Sequence, residues 1–260
     1  MKSIKYVFPM VVILIGIMAC QEQDPVSPKA FNPLEKLLSF RSELVDAAIE
    51  INIISNGAAF TDQIGTIEVT GEILNKVGAP TNVDSLKVGN ILIPGGGRTG
   101  YYHEVFGDDS PEEIEDVVDL YGTEIDYDVF GTYPMPTIDE SFYLPEIVNF
   151  TVYSHDGEID VTQNLTVTWN TDSNNDMVNI GLFFIPRGSS LEEAVYKIYT
   201  TEDDGSYTIP YTDLNDFPVG YTLNIAIARG HIEEVEIAEN YFARMSGITY
   251  SMSEDLPIVD

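Results

Sequence analysis

Apolar and polar residues alternate along most of this chain, and that period constrains the fold more than any other feature. One apolar set runs through Val45, Ala47, Ile49, Ile51 and Ile53, and another through Ile67, Val69 and Ile73. Leu86, Val88 and Leu92 read as one face of a further run, with Ile91 and Ile93 on the other; Ile125, Tyr127 and Val129 follow. A period of two places one side of a strand against a core and the other in solvent. Beyond residue 146 the pattern becomes more regular, with strands predicted over 147–154, 164–170, 177–185, 195–201, 206–211, 221–229 and 245–253. Short strands separated by turn residues at such intervals argue for sandwiches. The expected fold is therefore mainly β, with two β-sandwich-like domains and one or two short helices.

Helix signals are few. Asn32 can cap, with Pro33 at the first helical position and Glu35 three residues after the cap. Ser110-Pro111-Glu112-Glu113 combines a cap, a first-turn proline and a capping-box glutamate, which predicts a helix near 111–121 ended by Gly122. The stretch 133–145 holds three prolines and little periodicity, and marks a boundary. The expected organisation is a leader over 1–19, a polar tether over 20–32, a β-rich domain over 33–145 and a sandwich over 146–260.

The leader carries its own chemistry. Lys2 and Lys5 precede an apolar stretch from Val7 to Ala19, and Gln21, Glu22, Gln23 and Asp24 follow. A spanning helix needs about 20 apolar residues, more than this run supplies. The run closes on Ile17-Met18-Ala19-Cys20, and Cys20 is the only cysteine. These residues resemble a bacterial lipoprotein signal with its lipobox, although Ile17 and Met18 stand where that pattern usually has Leu and a small residue. The resemblance implies cleavage before Cys20, acylation of Cys20 (palmitate or a similar chain) and a lipid anchor outside the cytoplasm. Glu22 and Asp24 resemble the acidic export signal of Bacteroidota lipoproteins, which implies the outer membrane and surface display. With one cysteine, no disulfide framework holds the fold together.

Charge narrows the partners. The chain has 43 acidic and 12 basic residues, a formal net charge of −31. Such a surface repels phosphate backbones, which sets nucleic acid aside, and resists lying flat on anionic lipid. Contact with the membrane is expected through the N-terminal lipid alone.

The second half supplies a further resemblance. Leu165-Thr166-Val167-Thr168-Trp169 and Val178-Asn179-Ile180-Gly181-Leu182 resemble adjacent strands of a fibronectin type III or immunoglobulin-like domain, where the strand-borne tryptophan packs in the core. Asp204 to Pro210, Leu214, Phe217-Pro218-Val219-Gly220 and the strand over 221–229 are similar to the later strands of sandwich domains in Bacteroidota lipoproteins. The stretch 232–243 departs from that pattern and reads as an acidic insertion.

Candidate sites are sparse. Asp172, Asn174 and Asp176 alternate like calcium ligands, but Met177 and Phe183 stand where an EF-hand needs Gly and Glu, and Asp and Asn are ordinary turn formers. The turn is the preferred reading, so no metal and no cofactor are expected. Gly95-Gly96-Gly97-Arg98 lacks the Gly-Lys-Ser/Thr ending of a phosphate loop and reads as a hairpin connection. His103, His155 and His231 lie far apart, without zinc spacing. Tyr101, Tyr102, Tyr133 and Tyr143 are candidates for an aromatic binding surface. The expected role is non-catalytic binding or assembly with a glycan or an envelope protein; the alternative is a polysaccharide-acting hydrolase or an accessory of glycan uptake.

Overall fold

A computed structural model of the chain describes residues 48–58, 64–74, 79–97, 99–107, 117–131, 137–153, 157–184, 195–238 and 241–260. Cys20, Tyr133 and the helix signals at 32–38 and 110–116 lie outside them. The fold is mainly β.

Its backbone is one large sheet with the path β12-β11-β14-β15-β1-β2-β5. In chain order these strands are β1 (Ala48–Ala58), β2 (Ile64–Ile73), β5 (Tyr101–Gly107), β11 (Met177–Phe184), β12 (Val195–Glu202), β14 (Thr222–Ala238) and β15 (Tyr241–Val259). The first and last strands pair in parallel, from Ala48 opposite Phe242 to Ala58 opposite Met252. A two-residue strand, β9 (Ile159–Asp160), adds a parallel pairing at the end of β15.

Two smaller sheets cover this layer. One has the order β4-β3-β6-β7, from β3 (Ser85–Val88), β4 (Ile91–Ile93), β6 (Thr123–Phe130) and β7 (Ile138–Leu144). The other has the order β13-β10-β8, from β8 (Phe150–Tyr153), β10 (Leu165–Trp169) and β13 (Ser206–Ile209). The first core packs Leu86, Val88, Ile125, Tyr127, Val129, Phe142 and Leu144 against Ile67, Val69, Ile73, Ala243 and Met245. The second packs Val152, Leu165, Val167 and Trp169 against Val178, Ile180, Leu182, Ile225, Ile227, Leu256 and Ile258. A four-residue helix, α1 (Tyr211–Leu214), adds the buried Leu214 to the second core.

β14 and β15 serve both cores. Met245 faces the first and Leu256 the second. At about 3.3 Å per residue, the 19 residues of β15 extend about 60 Å. Residues 45–260 accordingly form one compact unit.

Three local expectations are corrected. The stretch 232–243 is no insertion: Glu233, Glu234 and Glu236 pair with Met245, Arg244 and Phe242 as β14 runs on into β15. Val235, between those acids, and Ile237, just after them, pack on the first core. The stretch 133–145 contains β7, where Ile138, Phe142 and Leu144 point inward between flanking prolines. The run over 86–93 is a hairpin, with Val88 opposite Ile91 and Leu86 opposite Ile93. Gly89 has φ +55°. Gly-Asn at a two-residue turn suits the left-handed conformations a tight hairpin requires. The reversal puts Leu86, Val88 and Ile93 in the core and leaves Leu92 exposed.

Of the helix predicted near 111–121, the last turn is described. Leu120 N–H donates to the Val117 carbonyl and Tyr121 N–H to that of Val118. Gly122 follows at φ +75°, the left-handed residue that ends such a turn.

Candidate functional site

The two cores meet along the connection between β7 and β8, and this seam is stitched by polar groups. Val148 N–H donates to the Thr249 hydroxyl at 3.0 Å, and that hydroxyl donates to the Glu146 carbonyl at 3.2 Å. Nearby, β7 presses against β15 at Gly247. A β-carbon there would lie 2.3 Å from Leu144 Cδ1 and 3.2 Å from Phe142 Cε1, so only glycine admits β7 this closely. His231 stands opposite Gly247 in the β14–β15 register. Its ring lies 5.3 Å from that of Phe142 and 6.3 Å from that of Tyr143, the latter edge-on at 78°.

Beneath the seam sits a closed charge cluster. Arg229, Asp172 and Asp203 have fully buried or nearly fully buried side chains. Arg229 Nε lies 3.3 Å from Asp203 Oδ2, and Nη1 lies 3.9 Å from Asp172 Oδ2. Nη2 also donates to the Asn170 carbonyl. Asp203 accepts the Trp169 indole N–H at 2.7 Å and the Asn175 amide at 3.1 Å. Asp172 accepts the Tyr143 hydroxyl and the Glu146 N–H, both at 2.8 Å, and the Asn174 N–H at 2.9 Å. Burial lowers the Arg229 pKa, while Asp203 and Asp172 oppose that shift. A guanidinium remains charged regardless, so the cluster is one cation held by two carboxylates.

This accounts for the loop with calcium-like alternation. Asp172 turns inward and both its oxygens accept protein donors, whereas Asp176 is exposed. The Asp172–Asn174 contact is an ordinary Asx turn. Among the described residues no group of three His, Cys, Asp or Glu side chains is arranged to hold a metal ion.

An open cleft of about 470 Å³ lies over the seam, lined by Gly122, Thr123, Glu124, Tyr143, Asn174 and His231. Gly122 to Tyr143 come from the first sandwich, Asn174 from the second, and His231 from a strand of the shared sheet. Of the three candidate tyrosines among the described residues, Tyr143 lines it. Tyr102 is corrected to a core residue: it is 6% exposed, and its hydroxyl accepts from Val83 N–H at 2.8 Å and donates to Val83 C=O at 2.7 Å. Tyr101 stacks on His103, with ring centroids 5.9 Å apart. His103 in turn meets Glu68 at 3.0 Å. The Gly-rich segment does join β4 to β5, with Gly96 N–H donating to the Tyr101 carbonyl. No local pattern marks His231, Asn174 and Glu124 as one lining, because their proximity depends on the β14 extension and on β7.

Burial, and next the hydrogen bond to Asp172, push the Tyr143 hydroxyl up to about 12; Asn174 acts the other way. A group whose folded pKa exceeds its ordinary value of about 10 contributes stability that is complete below pH 10 and is lost as pH rises through the folded value. Alkaline titration is therefore expected to find Tyr143 un-ionised at pH 11. In Tyr143→Phe, this share of the alkaline loss of stability should disappear. Equal pH dependence of melting in wild type and variant between pH 9 and 12 would show that Tyr143 makes no such contribution.

Fold and seam together define a mainly β protein of two sandwich cores built on a shared sheet, with a polar cleft at their junction. No protein-family model and no curated protein matches the chain. Among solved structures it is similar to the Fcho1 Mu homology domain of Danio rerio with bound Eps15 peptide: 10% identity, 79% of this chain, 95% of that one, TM-score 0.29. It is also similar to the FN1–FN3 domains of chicken CNTN1, at 9% identity, 78% and 68% coverage and TM-score 0.21. The Yersinia pseudotuberculosis adhesin InvE gives 12% identity and TM-score 0.22, with 78% of this chain and 58% of that one covered. Likeness at this level assigns neither a partner nor an activity.

Proposed function

We propose that this chain is a lipid-anchored envelope protein whose β unit is a non-catalytic binding or assembly module, with a glycan or an envelope protein as its partner. The observation that carries the reading is the contrast between the two polar constellations. Asp172, Asp203 and Arg229 are buried in mutual contact, where they serve the framework. Among the described residues the open cleft offers an aromatic ring, an imidazole, an amide and one carboxylate, Glu124. A glycoside hydrolase needs two convergent carboxyl groups about 5–9.5 Å apart across its cleft, so this lining favours binding over hydrolysis.

The anchor rests on Cys20 and the residues before it. No helix among the described residues is long and apolar enough to cross a membrane. Each buried methylene of an acyl chain adds about 0.8 kcal/mol of membrane affinity, so two or more chains hold a highly acidic protein at a bilayer. Outer-membrane placement, facing outward, is the location that suits Glu22 and Asp24. Wild type is expected in the membrane fraction with a modified Cys20 at its N-terminus. Cys20→Ser should leave a soluble product or an uncleaved precursor. Mass spectrometry showing an unmodified Cys20 within a mature N-terminal peptide would defeat the anchor.

A further inference from the structure

We infer that the seam cleft is a binding site for a neutral saccharide, with Tyr143 and His231 as its walls and Asn174 and Glu124 as its hydrogen-bonding groups. This rests on the binding-module reading above and gives it a location and a ligand class.

The first support is preorganisation. The Tyr143 hydroxyl donates to Asp172, which is anchored by Glu146 N–H and lies beside the buried Arg229. The ring is thereby fixed without using its hydroxyl on a ligand. His231 stands at 78° to it and is backed by Phe142. The two rings make a rigid flat-walled corner, and rigid aromatic walls lose little conformational entropy when a ligand settles.

The second support is the mixture of chemistries. A pyranose presents an apolar C–H face and a rim of hydroxyls at once. The aromatic corner suits the former. The Asn174 amide, which both donates and accepts, and the Glu124 carboxylate, which accepts, suit the latter. The Thr123 hydroxyl donates to Leu120 C=O at 2.6 Å and keeps a lone pair for a ligand donor. At about 470 Å³ the cleft falls in the size range of small-ligand sites.

Charge selects among sugars. A net charge of −31 and Glu124 in the lining work against uronic acids and sulfated glycans. A cationic ligand would find one solvent-exposed carboxylate, a weak attraction in water.

The test uses the full chain purified in detergent on an array of neutral, sulfated, uronic-acid and amino-sugar oligosaccharides, with tri-lysine as a cationic peptide control. Binding is expected among the neutral members. Calorimetry with the strongest neutral binder should then show Asn174→Ala and Glu124→Gln each weakening affinity about tenfold, equivalent to about 1.4 kcal/mol. Tyr101→Ala, which lies outside the cleft, should stay within about twofold of wild type. Unchanged melting temperatures for Asn174→Ala and Glu124→Gln separate lost contacts from lost fold. Binding confined to charged probes, no binding on the array, or neutral binding indifferent to both cleft variants would each overturn the inference. The anchored-module reading fails separately, on an unmodified Cys20.

Discussion

Trp169→Ala is expected to destabilise the protein by about 3–5 kcal/mol, the range for a large aromatic removed from a core. Trp169 is the chain's only tryptophan and is 7% exposed. It pairs with Phe150 across β8 and belongs to the second core. The truncation also removes the indole N–H that Asp203 accepts at 2.7 Å, leaving a buried carboxylate short of a donor. Trp169→Phe separates the two effects, since it keeps most of the packing and loses only the donor; a cost of about 1–2 kcal/mol is expected. Urea unfolding followed by circular dichroism measures both, because the tryptophan fluorescence signal is lost in both variants. A Trp169→Ala midpoint indistinguishable from wild type, together with lost binding on a glycan array, would make Trp169 a ligand contact instead of a core residue.

The sequence made strand parity legible wherever alternation ran unbroken, as in Leu165, Val167 and Trp169, all buried on one face of β10. It misled where a turn or a charge run interrupted the period. Gly89-Asn90 reversed the chain inside what read as one strand, and so moved Leu92 to the outside. Glu233, Glu234 and Glu236 read as solvated insertion because acids are depleted in strands. Yet a strand held in register by the β15 ladder needs only one apolar face, and Val235 and Ile237 supply it. The prolines around β7 masked its alternation in the same way. The site was less legible because it is made by topology. Glu124, Tyr143, Asn174 and His231 come from four separate segments, and no local pattern links them. One signal was available: Arg229 ends an apolar stretch, Ile225 to Ala228, on a strand that alternation places in the interior. A cation there implies buried carboxylates nearby, and Asp172 and Asp203 are those carboxylates.

That cluster yields the second large effect. Arg229→Met is expected to cost about 3–5 kcal/mol, the range for breaking a buried ion pair from one side. The substitution roughly conserves side-chain length, so the loss arises chiefly from charge. Asp172 and Asp203 would remain buried with no cation between them, at Nη1–Oδ2 and Nε–Oδ2 positions that are 3.9 and 3.3 Å apart in wild type. Neutralising the acids tests that cause. Asp172→Asn and Asp203→Asn retain a carbonyl oxygen to accept from Tyr143 and Trp169, so the triple variant Arg229→Met, Asp172→Asn, Asp203→Asn should recover at least half of the deficit. Replacing a whole buried ionic group is commonly far less costly than removing one partner, which is the reason for expecting recovery. Denaturant unfolding of wild type, single and triple variants gives the comparison directly. If the triple variant were less stable than Arg229→Met alone, uncompensated charge would not be the cause, and the packing of the arginine stem would have to account for the loss.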